Sequence, residues 1–298
     1  MHPVEALKRH GGVASRGDLL QLTSRAELDA AATAAEVLAD ARGRYALPGT
    51  DEGLRAASAL SGVLSHTSAA LYWGWTVKIV PEAPHVTVRR KRHLNAAQQQ
   101  AVTAHWRELT LDDLYGAVTA PDRTLRDCMT DLPFDEALAV ADSALREGAI
   151  RPGRLRALSE EISGPGARQA RRVAVCADGR AANPFESVLR AFALDVRGLS
   201  VTPQVTIRTR RLTATPDLVD VDRRLVLEAD SHTWHSSRAA LRRDCRRYNA
   251  LVLDEWTVLR FTWEHVMFEA NDVRSCLEDV VRLTDRQARR TKSRRKAA

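Results

Sequence analysis

Cysteine is scarce and scattered in this chain. Its 298 residues hold four, Cys128, Cys176, Cys245 and Cys276, with no CxxC pair among them. That dispersion excludes a zinc ribbon or a disulfide framework and fits reduced thiols. Long apolar runs are absent as well. No stretch approaches the roughly 20 residues that a membrane-spanning helix needs, and Met1–His10 lacks the apolar core of a secretory signal. The expected setting is therefore cytoplasmic, with no membrane partner. Metal-ligand spacing is missing among the histidines too: those at positions 66, 85, 93 and 105 follow no ligand pattern and read as structural or solvated.

What is present is ordinary in amount and uneven in placement. Hydrophobic residues make up 44% and charged residues 28%, the balance of a folded globular protein. The net charge is +7. Residues 286–298 carry Arg286, Arg289, Arg290, Lys292, Arg294, Arg295 and Lys296 and no acid, so this tail accounts for the whole excess. It reads as a frayed basic end and an electrostatic handle for nucleic acid, or as a solubilising end that binds nothing specific.

Four sections follow from the pattern of breakers and periodicity: 1–52, 53–165, 166–285 and the basic tail 286–298. In the first, Val4–Arg9 starts a helix that Gly11-Gly12 stops. Ser15 with Asp18, and Ser24 with Glu27, read as two helix N-termini, the second helix running to about Ala39. Arg42–Gly49 follows as a turn and short strand. Three helices and a basic wing make a winged helix-turn-helix, with Arg25 as the main cation of an otherwise alanine-rich recognition helix. The second section is a mixed α and β stretch that carries the basic loop Arg89–His93 and no catalytic constellation. Ser163-Gly164-Pro165-Gly166 reads as the linker and main boundary.

The third section holds the chemistry. Thr215–His235 contains two apolar runs, Leu218–Val221 and Leu225–Leu227, joined by Asp222-Arg223-Arg224 as a hairpin turn. Antiparallel pairing brings Asp217 and Glu228 side by side. Two carboxylates at a sheet edge suit one hard divalent cation, Mg2+ or Mn2+, and such a cation polarises a phosphate and activates a water. Glu186 stands in the first turn of a helix opening at Asn183-Pro184. Val201–Arg208 reads as a strand, Ser237–Leu253 as a long basic helix, Trp256–Phe261 as an alternating strand, and Asp272 to about Arg290 as a closing helix.

Two resemblances follow from these residues. "GGVASRGDLL" and "GRYALPG" resemble the N-terminal winged helix of AbiEi-type antitoxins. The order helix, three strands, helix, strand, helix resembles the PD-(D/E)XK restriction-endonuclease-like fold. "LEADSHTWH", "RRDCRRYNAL" and "WTVLRFTW" are similar to Vsr-like nucleases over roughly the last 120 residues. The resulting fold class is α/β within an α+β whole. The resemblance implies a metal-dependent DNA endonuclease, serving DNA repair or phage defence, with Asp217 and Glu228 as metal ligands and Glu186 as third ligand or supporting acid. Asp230, a candidate supporting acid of the catalytic set, stands where the general signature has lysine, and Ser231 where Vsr-like members have glycine. His235 then takes the place of the missing lysine as base or phosphate contact. Arg25, Arg242, Arg243, Arg246 and Arg247 are the candidate contacts to DNA, with Arg247 and Asp244 able to pair instead. The alternatives are an antitoxin-like DNA-binding regulator built on an inactive nuclease fold, and the toxin component of a toxin–antitoxin pair.

Overall fold

The computed structural model of the chain describes residues 1–230 and 238–297, with backbone alone for 238–240 and 288–297. It is an α+β protein of two compact units. The first unit comprises Met1–Leu132 and Gly153–Ala170; the second comprises Pro133–Pro152 and Arg171–Ala298. This division is interleaved, whereas the glycine-proline signal at 163–166 suggests a single cut there.

The first unit opens with α1 (Pro3–Arg9), β1 (Val13–Ser15), α2 (Arg16–Leu20), α3 (Arg25–Thr33), β2 (Leu38–Ala41) and β3 (Arg44–Ala46). The strands form an antiparallel sheet in the order β1-β3-β2, which is the winged helix-turn-helix arrangement. Both expected capping boxes form: Ser15 with Asp18 and Ser24 with Glu27 each satisfy two helix-end donors. The alanine run after Arg25 stops being helical at Thr33, six residues short of expectation. Ala35 takes a left-handed φ of 56°, and Leu38–Ala41 pairs with β3 instead. Strand pairing there overrides the helix propensity of alanine.

The same unit continues through α4 (Glu52–Ala59), β4 (Val63–Leu64), α5 (His66–Tyr72), β5 (His85–Val88), α6 (Ala96–Ala101), β6 (Thr103–Trp106), β7 (Leu114–Tyr115), β8 (Val118–Thr119) and α7 (Pro121–Asp131). A five-stranded mixed sheet runs in the order β6-β5-β4-β8-β7. One buried cluster joins Val13 and Ala46 of the winged helix to Leu54, Leu64, Val86 and Val118. Residues 1–52 and residues 53–132 therefore share one packed body, whereas two separate domains are expected.

Helix α8 (Phe134–Arg146) belongs to the second unit, α9 (Pro152–Glu161) returns to the first, and α10 (Ala167–Cys176) leads back out. The second unit then has α11 (Pro184–Asp195), β9 (Thr202–Pro203), β10 (Ile207–Arg208), β11 (Thr213–Ala214), β12 (Leu218–Asp220), β13 (Leu225–Asp230), α12 (Arg238–Leu253), β14 (Thr257–Thr262), α13 (Trp263–Phe268) and α14 (Ala270–Ala297). The expected single strand Val201–Arg208 is broken at Gln204, whose φ is 54°, and β10 pairs with β11 in a separate hairpin. The main sheet runs β14-β13-β12-β9, with β13 antiparallel to β12 and parallel to β14. Strand alternation sorts the core into two faces. Leu218, Leu225 and Leu227 pack with Phe185, Leu189 and Phe192 of α11 and with Val266 and Leu277. Val219 and Val226 pack on the other face with Ile207 and with Leu251 and Tyr248 of α12. Residues 286–297, read from their charges as a frayed end, continue α14 in helical backbone. No helix among the described residues is long and apolar enough to cross a membrane.

Candidate functional site

The β12–β13 hairpin turns at Val221–Arg224, where Arg224 takes a φ of 51° and its N–H binds the Val221 carbonyl 3.2 Å away. Leu218 pairs with Leu227 and Val219 with Val226, so Asp217 stands opposite Glu228, as the hairpin reading requires. Glu228 follows Val226 on the face that α12 covers. Asp217 Oδ2 accepts the Ala229 N–H at 2.8 Å, which fixes its carboxylate beside that of Glu228.

Glu228 is 4% exposed, and its Oε1 is buried without a hydrogen-bond donor. The nearest cation is Arg247 of α12, whose Nη1 lies 3.4 Å from that oxygen. Burial drives the Glu228 carboxyl up to about 7, helped by the adjacent Asp217 charge and opposed by Arg247. Burial also raises Asp217. Two acids this close in a dry setting titrate as a pair rather than one by one.

The other expected residues fall in different places. Glu186 is buried, but α11 packs on the opposite face of the sheet, and its carboxylate is already occupied. It accepts from the Ala182 N–H at 2.9 Å, the Asn183 side-chain amide at 2.8 Å and the Gln204 amide at 3.1 Å. Its ligand atoms do not join those of Asp217 and Glu228 in a three-residue set with 4.8 Å spacing. Of its two expected roles, third ligand or supporting acid, Glu186 has the contacts of the supporting acid. It holds Gln204 at the break between β9 and β10, and the Gln204 N–H in turn binds the Asp217 carbonyl at 3.0 Å. Replacing Glu186 by Ala strands three donors and is expected to destabilise the second unit by roughly 1–3 kcal/mol, read by urea unfolding. Asp230 pairs with Arg260. Arg247 turns inward: its Nη2 donates to Tyr248 Oη at 2.7 Å and lies 3.9 Å from Asp244, so the alternative pairing holds in place of a free phosphate contact. Arg242, Arg243 and Arg246 are exposed along α12, and Arg25 is exposed at the start of α3. His235 and Ser231 lie outside the described residues.

Two groupings in the first unit escape a reading by spacing. The cations Arg44, Arg89, Lys91 and Arg92 line a cavity of about 480 Å³ with Ser61 and no acid. None of the four has an ion-pair partner among the described residues. The second grouping is His66, His85 and His105. Their spacing predicts structural or solvated roles, yet each offers a ring nitrogen within 4.8 Å of the others. Among the described residues no other set of three such side chains meets that spacing. The signal for two of them is the pair of alternating runs 85–88 and 102–105, which form adjacent parallel strands with Thr87 opposite His105.

The acidic pair has the donor chemistry a hard divalent cation takes: one carboxylate from the residue before β12 and one from β13, with one oxygen buried without a hydrogen-bond donor. No protein-family model matches this chain, and no curated protein sequence matches it. The crystal structure of RV2827C protein from Mycobacterium tuberculosis is similar at a TM-score of 0.33 and 15% identity, over 70% of this chain and 87% of that one. A likeness of that degree bears on neither site nor activity.

Proposed function

We propose that the second unit is a metal-dependent nuclease that hydrolyses phosphodiester bonds in DNA. The observation that carries this reading is the juxtaposed pair Asp217 and Glu228, with an unsatisfied Glu228 oxygen in a buried setting. Two acids kept together at such desolvation cost have a physical reason to be there if a cation binds them. Asp217 and Glu228 would hold that cation, which when bound supplies charge and Lewis-acid polarisation for the phosphate. Arg247 serves as the counter-charge that keeps the acidic pair compatible with burial until then. The exposed guanidinium groups of Arg242, Arg243 and Arg246 draw the backbone of a nucleic acid to the α12 face. Labelled duplex, single-stranded and mismatched DNA, each with Mg2+ or Mn2+, test the proposal. The wild type cuts at least one substrate and Asp217→Asn cuts none. Failure on all three refutes it.

A second reading is favoured by the four unpaired cations of the first unit. It is a DNA-binding regulator, with the wing residue Arg44 and the loop residues Arg89, Lys91 and Arg92 on phosphates. It also predicts a number. Binding to duplex without metal weakens as salt rises, and the triple change of Arg89, Lys91 and Arg92 to Ala lowers the log–log slope by roughly 2.7 if each meets one phosphate. Fluorescence anisotropy across a salt series measures that slope.

A further inference from the structure

The first unit contains a cluster that the nuclease reading does not use. His85 Nδ1 and His105 Nε2 meet at 3.0 Å in a hydrogen bond in which one ring nitrogen donates to the other, so an ion would take the place of that shared hydrogen. A tetrahedral zinc with bonds of about 2.0–2.1 Å holds two nitrogen ligands roughly 3.3 Å apart, so this pair is nearly spaced for one ion. His66 is the third member. It is fully buried, and its Nε2 lies 3.1 Å from Asp131 Oδ2. A carboxylate only accepts, so Nε2 carries the hydrogen of this contact. Nδ1, 3.0 Å from Ser65 Oγ, is then the nitrogen with a lone pair in the neutral ring. Thr87 Oγ1 donates to Ser65 Oγ at 2.9 Å, which leaves the Ser65 hydrogen for His66 Nδ1, so an ion at that nitrogen would displace the Ser65 hydroxyl.

We propose that His66, His85 and His105 form a binding site for one transition-metal ion of the zinc class. Asp131 orients His66 from behind, and the fourth position is left to water or a ligand. Three imidazoles without a carboxylate select zinc, copper, nickel or iron over magnesium. A metal-ligating histidine characteristically donates its other N–H to a carboxylate, as His66 does to Asp131. Asp131 is itself held by Arg107 and by the Thr130 hydroxyl at 2.8 Å. His66 also has a φ of 51° at the first position of α5, a conformation costly for a side-chain-bearing residue.

One feature constrains how an ion enters. The His66 and His105 rings are stacked, with centroids 3.6 Å apart and planes 18° apart. Two stacked rings cannot both aim lone pairs at one ion, so loading turns one ring out of the stack.

The test is a titration of EDTA-treated full-length protein with Co2+. The expected result is one equivalent bound, with the visible d–d bands of a tetrahedral ion. Asp131→Asn weakens the affinity by about 10–100-fold, and His105→Ala abolishes the bands, with circular dichroism confirming the fold of each variant. His93→Ala, an exposed histidine outside the cluster, leaves the titration unchanged. The double variant Asp217→Asn, Glu228→Gln keeps the bands, which separates this site from the proposed nuclease centre. Wild-type protein that gives no bands overturns the proposal without any variant. Bands that survive His105→Ala, or that vanish in the Asp217/Glu228 variant, overturn it as well.

Discussion

Replacing Asp142 by Ala is expected to destabilise the second unit by about 3–5 kcal/mol, the usual loss when one partner of a buried ion pair is removed. Asp142 is fully buried on α8 and Arg190 on α11 is 3% exposed. Arg190 Nη2 reaches both Asp142 oxygens, at 2.7 and 2.6 Å, and the same carboxylate accepts the Asp178 N–H at 2.7 Å. Burial raises the Asp142 carboxyl, and Arg190 works against that rise. With the carboxylate gone, the guanidinium is left buried and uncompensated. The double replacement Asp142→Leu with Arg190→Met is expected to recover most of the loss, because an apolar pair of similar volume carries no desolvation cost. Urea unfolding of the three variants measures both effects.

The second large effect concerns Glu228→Gln, and it acts on activity and stability in opposite directions. Cleavage is expected to fall by about 10²–10³-fold, the scale seen when one preorganised electrostatic partner is lost. Stability is expected to rise at pH 8. The sign follows from the raised Glu228 carboxyl. Between the ordinary value near 4.5 and about 7, the folded protein holds a proton that the unfolded chain has released. The metal-free fold therefore loses stability as pH rises through that window. Gln carries no such charge and escapes the loss, on the order of 3 kcal/mol at pH 8. For the wild type, cation binding must displace the same proton, so Mg2+ affinity is expected to climb between about pH 6 and 8. Thermal melts at pH 5 and pH 8, with and without Mg2+, separate these contributions.

Local chemistry was the legible part of the chain. The pairs Ser15/Asp18 and Ser24/Glu27 are three residues apart, and both cap the helices expected of them. The hairpin pairing of Asp217 with Glu228 follows from two apolar runs and a turn between them. Each of these features is decided within about a dozen residues. Long-range choices were not legible. The alanine run after Thr33 yields to a strand because β3 offers it partners. Gln204 breaks its strand because the Asp217 carbonyl and Glu186 carboxylate, both distant in sequence, take its donors. Glu186 sits in the expected helix turn, yet the face on which α11 packs decides where its carboxylate points. The histidine cluster has no spacing to read. It is assembled by β5, β6 and the start of α5, and a search for ligand motifs along the sequence passes over it.

Incubation of supercoiled plasmid with purified protein in Mg2+ or Mn2+, against EDTA and against Glu228→Gln, tests the central claim most directly. The account predicts metal-dependent nicking or linearisation by the wild type, greater at pH 8 than at pH 6, and a rate about 10²–10³-fold lower for the variant. Cleavage that persists in EDTA, or that Glu228→Gln retains at the wild-type rate, would contradict it.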